Sequence, residues 1–191
     1  MSRKVVIVGA GALGSHVLLL ARNWDCELTI IDFDKVEQKN TQAQMHTRMS
    51  LRRNKAQAMA QAMQGMWGLK IKAVPHRLTR DNYEQLLSGA HLVIDCTDNI
   101  AARTCIQQFC IAEGTPLLHA ALSADGKLGQ VIWTELFTAD EESGDGATCE
   151  NGDNLPFHVL MGGLIASTAK TFLASGRKYN WQVTGSSFLR V

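Results

Sequence analysis

The residues best placed to do chemistry begin with three glycines, Gly9, Gly11 and Gly14, in the run KVVIVGAGALG over residues 4–14. Val5, Val6, Ile7 and Val8 lead into the glycines, and Leu13, Val17, Leu20 and Ala21 follow at helical spacing. That pattern predicts a buried strand, a tight turn and a helix that starts at the turn. In such a turn the first glycine permits the reversal and the second lets backbone approach a phosphate. The third lets helix and strand pack closely. Helix N–H groups without partners then favour an anion. Asp32, about 20 residues further on, ends a second apolar segment and is placed to accept hydrogen bonds from ribose hydroxyls. The chemistry these residues suggest is nucleotide binding. The plainer alternative is a glycine turn that only packs and an aspartate that only caps.

The elements needed to position these residues fit one globular unit. The chain has 191 residues, 46% hydrophobic and 19% charged, which argues against disorder and for a single domain over residues 1–191. Lys and Arg number 19 and Asp and Glu 18, so net charge makes no case for nucleic acid or an anionic membrane. The five cysteines (Cys26, Cys96, Cys105, Cys110 and Cys149) include no CxxC pair, which supports neither a disulfide framework nor a structural zinc site. The longest later apolar stretch, residues 159–166, is far shorter than a bilayer span. A reduced, soluble, cytoplasmic protein is expected.

Beyond Asp32 the chain departs from a dehydrogenase pattern. Residues 35–53 are polar and irregular before a helix resumes near Asn54, with Ala56, Met59, Ala60 and Met63 on its buried face. Lys55 opens that helix, a poor place for a cation by the helix dipole unless an anion lies close. An apolar strand over residues 91–94 then runs into Asp95-Cys96-Thr97-Asp98-Asn99. Asp98 therefore sits at a strand's C-terminal end, the edge where open α/β sheets bind ligands. The plainer reading of Thr97, Asp98 and Asn99 is an N-cap for the helix running through Ile111. Capping and ligand binding are compatible.

Taken in order, the glycine turn, Asp32-Phe33-Asp34-Lys35-Val36 with Asn40, then Lys55, then Asp95-Cys96-Thr97-Asp98-Asn99 resemble the ThiF/MoeB/HesA family. These are ubiquitin-activating-enzyme-like adenylyltransferases with the pattern DxDxVxxxNxxRQ, a helix-opening Lys and DxxDN. The resemblance covers residues 4–175. It implies a Rossmann-like, mostly parallel α/β sheet with helices on both faces and additional antiparallel strands in the C-terminal half. It also implies ATP and magnesium as ligands, and a small ubiquitin-like protein or peptide as substrate. The substrate's C-terminal carboxylate would attack the α-phosphate and release pyrophosphate. By motif position Asp32 would hold ribose, Asn40 and Lys55 would contact phosphates, and Asp98 would lie near the magnesium and the reacting phosphate. Asp34, Gln44 and Asn99 would complete the nucleotide contacts. Lys55, Asp98 and Cys149 are the catalytic candidates. Cys149 precedes a buried helix, where several members place a reactive cysteine. Its neighbours Glu141, Glu142, Asp145, Glu150 and Asp153 disfavour a thiolate, and a nearby helix N-terminus favours one.

The remaining segments follow the family's order. Residues 116–121 and 128–134 read as strands joined at Asp125-Gly126, and residues 138–154 as an acidic, glycine-rich, mobile connection. Residues 155–174 read as a helix apolar on most faces with Gly176 at its stop, and residues 181–191 as a last strand. His119, beside the fifth strand's end, could face the site, but a lone histidine is more often structural.

Three departures from the family stand out. Its phosphate-clamping arginine falls on Ala43, its N-terminal arginine-bearing segment is expected to be missing, and its CxxC pairs are absent. Arg48, Arg52 and Arg53 are candidates to replace the lost charge. The expected activity is ATP-dependent adenylylation of a carboxylate, in a homodimer or heterodimer. The alternatives are a catalytically weak or inactive ATP-binding partner subunit, and an NAD-dependent oxidoreductase resting only on the glycines and Asp32.

Overall fold

Val5, Val6, Ile7 and Val8 are all buried, because β1 (Arg3–Val8) turns alternate side chains into two different cores. Val5 and Ile7 join the core shared with α1 (Gly14–Leu20), whereas Val6 and Val8 join a second core on the other face. A strand covered on both faces has no polar side, hence its continuous apolar run. The computed structural model describes residues 2–123, 125–133 and 152–191. Cys149 and the acidic connection, apart from residues 152–154, lie outside the described residues.

The chain continues through β2 (Cys26–Ile31), a short α2 (Asn40–Ala43), α3 (Lys55–Trp67), β3 (Lys72–Val74), α4 (Tyr83–Leu87), β4 (Leu92–Asp95) and α5 (Ile100–Glu113). It then runs through β5 (Leu117–Leu122), β6 (Leu128–Trp133), α6 (Leu155–Ser175), β7 (Trp181–Thr184) and β8 (Ser187–Arg190). The eight strands among the described residues form one sheet in the order β3-β2-β1-β4-β5-β6-β7-β8. Pairing is parallel from β3 through β5 and antiparallel from β5 through β8. Residues of α1, α3 and α6 fill one core, and residues of α4 and α5 the other. The expected mostly parallel α/β sheet with helices on both faces and antiparallel C-terminal strands is the architecture found. Chain direction across the sheet reverses between β1 and β4, and that switch point opens a crevice at the strands' C-terminal ends.

Three local readings need correction. Residues 35–53 are not wholly irregular but contain α2, whose single turn is too short to show a periodic face. The last strand is a hairpin, β7 and β8, turned at Gly185-Ser186, a two-residue turn signal that the sequence reading passed over. The third correction concerns α6. His158, Met161, Gly162, Ile165, Ala166 and Ala169 form a buried stripe at helical spacing, while Val159 is 45% exposed. This 21-residue helix is long and apolar enough to cross a membrane by composition, but its buried stripe packs against α1 and the sheet. Gly162 permits the approach, because a Cβ there would lie 2.6 Å from the Cβ of His16.

Two glycines leave the β1–α1 turn no alternative. Gly9 adopts φ +94°, and a Cβ on Gly14 would lie 1.9 Å from the Gly9 carbonyl oxygen. Gly14→Ala should therefore cost about 3 kcal/mol or more of stability, because the clash is with backbone. A urea midpoint equal to the parent's would refute that account of the turn.

Of the buried histidines, His16, His46 and His158 add a pH dependence. Burial is the main cause that holds each below the usual imidazole range, with His16 repelling both others and Lys55 repelling His46. The carbonyls of Ala12, Ala10 and Ala43 oppose the shift in His16, His46 and His158 respectively. The folded state disfavours protonation of these rings, while the unfolded chain takes up protons near pH 6.5. Stability is therefore full above about pH 6.5 and declines as the pH falls below it. Unfolding midpoints measured from neutral to mildly acidic pH should drop; a flat profile would count against this reading.

Candidate active site

The glycine turn is held from several sides. The Gly9 N–H donates to the Ile31 carbonyl at 2.8 Å, tying the turn to the end of β2. Asp32 then grips it directly: Oδ2 accepts from the Ala10 N–H at 2.7 Å and Oδ1 from the Asp34 N–H at 2.8 Å. Burial pushes the Asp32 carboxyl up, and the Ala10 N–H and then Lys55 oppose that shift most. On the opposite side His46 Nε2 donates to the Ala10 carbonyl at 2.9 Å, and Ser15 Oγ accepts from the Met45 N–H at 3.1 Å. These two contacts hold the loop after α2 against the turn and leave Gln44 beside Gly11. A Cβ on Gly11 would meet nothing closer than Gln44 Nε2 at 4.0 Å, so the turn is open at that point. Gln44 Oε1 is buried with no hydrogen-bond partner among the described residues. A buried polar atom left unpaired beside an open glycine is what a bound group would satisfy.

Lys55 reaches the same place from α3. It is buried, and its Nζ lies 3.4 Å from Asp34 Oδ2, which supplies the nearby anion that its helix-start position calls for. Asn54 makes this geometry possible. Its Oδ1 caps α3 at the Gln57 N–H, while Nδ2 donates to the carbonyls of Asp32 at 2.7 Å and Asp34 at 3.1 Å. The start of α3 is thereby tied to the acidic turn after β2.

At the end of β4, Asn99 caps α5 at the Ala102 N–H at 3.0 Å, as its plainer reading expects. Asp98 stands one residue earlier, exposed at the cleft. The cleft has a volume of about 1,260 Å³ and is lined by Gly9, Gly11, Asp32, Asp34, Gln44, Lys55, Asp98 and Asn99, among others. It therefore brings together most of the residues singled out from the sequence. Gly14 stands apart as a packing residue. Asn40 does too: it is 2% exposed and its Oδ1 accepts from the Glu37 N–H at 2.8 Å, so it shapes α2. Ala43 is fully buried and does not line the cleft.

The replacement arginines are elsewhere. None of Arg48, Arg52 and Arg53 lines the cleft; Arg53 instead donates to Gln61 Oε1. The cleft's cations are Lys39, Lys55, Arg77, Arg80 and Arg103 against the carboxylates Asp32, Asp34 and Asp98, a balance that favours an anionic ligand. Arg77 stacks 3.7 Å above the centre of the Phe33 ring at the rim. Sequence reasoning missed Lys39, Arg77, Arg80 and Arg103 because each sits in a segment without a readable pattern or on a helix's half-buried side. For Asn54 the sequence reading gave only a helix starting nearby, neither its cap nor its bonds to the acidic turn. Cys96 also lines the cleft, but burial pushes its thiol far up, and Asp95 adds to the shift, which disfavours the reactive thiolate.

The chain is similar to known proteins both in sequence and in fold. The ThiF family model matches residues 1–181. The sulfur carrier protein ThiS adenylyltransferase of Escherichia coli K12 is 34% identical over 135 residues, covering 69% of this chain and 53% of that protein. The SAMP-activating enzyme E1 of Haloferax volcanii is 33% identical over 125 residues, covering 64% of this chain and 46% of that one. Among solved structures, Escherichia coli MccB with ATP superposes with a TM-score of 0.79 over 99% of this chain and 63% of its own, at 14% identity, a likeness of fold. The chain spans about half the length, or less, of the curated relatives it matches. With the family model covering nearly all of its length and the glycine turn, Asp32, Lys55 and Asp98 gathered at one switch-point cleft, this chain belongs to the ThiF family.

Proposed function

We propose that the chain forms one nucleotide-binding domain that binds ATP in this cleft and adenylates the C-terminal carboxylate of a small ubiquitin-like protein or peptide. The observation that carries the reading is the convergence of an open glycine turn, a buried lysine and an exposed aspartate on one net-cationic cleft. Names among the relatives point the same way, since one acts on the sulfur carrier ThiS and a fold neighbour was solved with ATP.

In the proposed reaction a carboxylate oxygen forms a bond to the α-phosphorus, the bond from that phosphorus to the bridging oxygen breaks, and pyrophosphate leaves. No proton is needed, so the protein's task is positioning and neutralising charge. Gly11 lets the backbone approach the phosphates, Lys55 faces them from the α3 side, and Asp32 keeps the turn in shape while offering its remaining lone pairs to ribose. Gln44 supplies an adaptable amide beside Gly11. Among the described residues no cluster of three His, Cys, Asp or Glu side chains is arranged to hold a metal. Asp98 alone fits magnesium in the way that ion is usually held, by one carboxylate together with phosphate oxygens and water. Bound there, the ion would neutralise charge on the phosphates. Assembly as a homodimer or heterodimer belongs to the same proposal.

A second reading, an ATP-binding module without turnover, is favoured by one observation: the buried Ala43 puts no cation into the cleft. Pyrophosphate exchange into ATP separates the two. With magnesium and a panel of small ubiquitin-like proteins and Gly-Gly-ending peptides, the parent should exchange, and Asp98→Asn should exchange about 10²–10³-fold more slowly. ATP binding without exchange for any acceptor, indifferent to Asp98→Asn, would decide for the module. Gly11→Ala gives an independent check. It should leave the melting temperature unchanged or slightly raised, because the space is open, yet weaken ATP binding by about tenfold or more. Binding of NAD in preference to ATP would overturn both readings.

A further inference from the structure

Asp95, at the end of β4, is 1% exposed, and its carboxylate has several partners around it. Oδ1 accepts from the Thr97 N–H at 2.9 Å and from the Thr97 hydroxyl at 2.7 Å. Oδ2 accepts from His119 Nδ1 at 2.7 Å, and Arg103 Nε lies 3.9 Å from the same oxygen. A carboxylate accepts hydrogen bonds, so Nδ1 of His119 carries the hydrogen. His119 is 4% exposed and stands directly across from Asp95 in the β4–β5 register. Arg103 completes the arrangement by donating from Nε at 3.1 Å and from Nη2 at 2.5 Å to the Thr97 carbonyl. Thr97 is thus gripped at its N–H, hydroxyl and carbonyl, and Asn99 is fixed by its cap on α5. Asp98, between them, is held by its neighbours and keeps its own side chain exposed to the cleft.

We propose that His119 is a positioning residue for Asp98: by anchoring the buried Asp95 carboxylate it locks Thr97, and through Thr97 it sets the turn that presents Asp98 to the cleft. The inference rests on the proposed role of Asp98, and its geometry concerns only residues of β4, β5 and the start of α5. Without His119, the partner left to Asp95 Oδ2 among the described residues is Arg103 at 3.9 Å. That arginine can close on the vacated oxygen only by loosening its hold on the Thr97 carbonyl, and either outcome frees the turn.

The test is amide hydrogen exchange in His119→Leu and His119→Asn, the second of which keeps an N–H donor near the position of Nδ1. In H119L the Thr97 amide, which donates to Asp95 Oδ1, should exchange about tenfold faster or more, while those of Leu118 and Ala120 stay within about threefold of the parent. H119N should restore parent-like exchange. An unchanged Thr97 amide, equal acceleration throughout β5, or an H119N variant indistinguishable from H119L would each overturn the proposal. If H119L does not fold, Thr97→Val removes the hydroxyl's bond to Asp95 and leaves the buried pair intact. It should speed exchange of the amide at position 97, and no change there would overturn the proposal. In pyrophosphate exchange H119L should lose about tenfold or more in rate with the KM for ATP nearly unchanged, and H119N should recover most of it. A parent chain that exchanges with no acceptor sinks the adenylation reading, and the amide measurements then decide this one by themselves.

Discussion

The carboxylate of Asp32 is the constraint on which the cleft depends. One oxygen holds the Ala10 N–H of the glycine turn and the other the Asp34 N–H, and the backbone carbonyl receives Asn54. Three chain segments far apart in sequence, the β1–α1 turn, the acidic turn after β2 and the start of α3, are fastened through this one residue. Burying a carboxylate is unfavourable unless it is hydrogen-bonded, and here its N–H partners come from the turns whose shape the site needs. The ribose role suggested by its position adds to this structural one, because each oxygen has a lone pair to spare.

Charge in the cleft is arranged by pairing. Lys55 enters with Asp34, Arg103 is spent on the Thr97 carbonyl beside Asp95, and Arg77 lies over the Phe33 ring. These cations are therefore preorganised. The family's arginine position, by contrast, is a buried alanine on α2, a helix that packs against α6. Cations reach the cleft instead from Lys39 just before α2, from Lys55 and Arg103, and from Arg77 and Arg80 after β3.

Much of the scaffold was legible in the chain. β1 is apolar throughout because it is covered on both faces, α3 and α5 show helical spacing, and the Asp125-Gly126 turn marks the β5–β6 hairpin, with Gly126 at φ +67°. What escaped was short or two-sided. α2 is one turn long, β3 has three residues, and the tail hairpin reads as one strand when its Gly-Ser turn is overlooked. For α6 the composition was read correctly and its burial overestimated, since an apolar residue such as Val159 gives no sign of which way it faces.

The sequence by itself determined the glycine turn, the acidic strand end, the helix-opening Lys55 and the exposed Asp98, because each depends on local backbone geometry or on position at a strand's end. Only the tertiary structure decided which side chains meet. It placed Asn40 and Ala43 in the packing, put Arg48, Arg52 and Arg53 off the cleft, brought Arg77 and Arg80 onto its wall, and paired Asp95 with His119 across neighbouring strands. Those outcomes depend on strand register and on how loops return to the sheet. Register is set by many weak contacts together and leaves no mark on the spacing of any single residue.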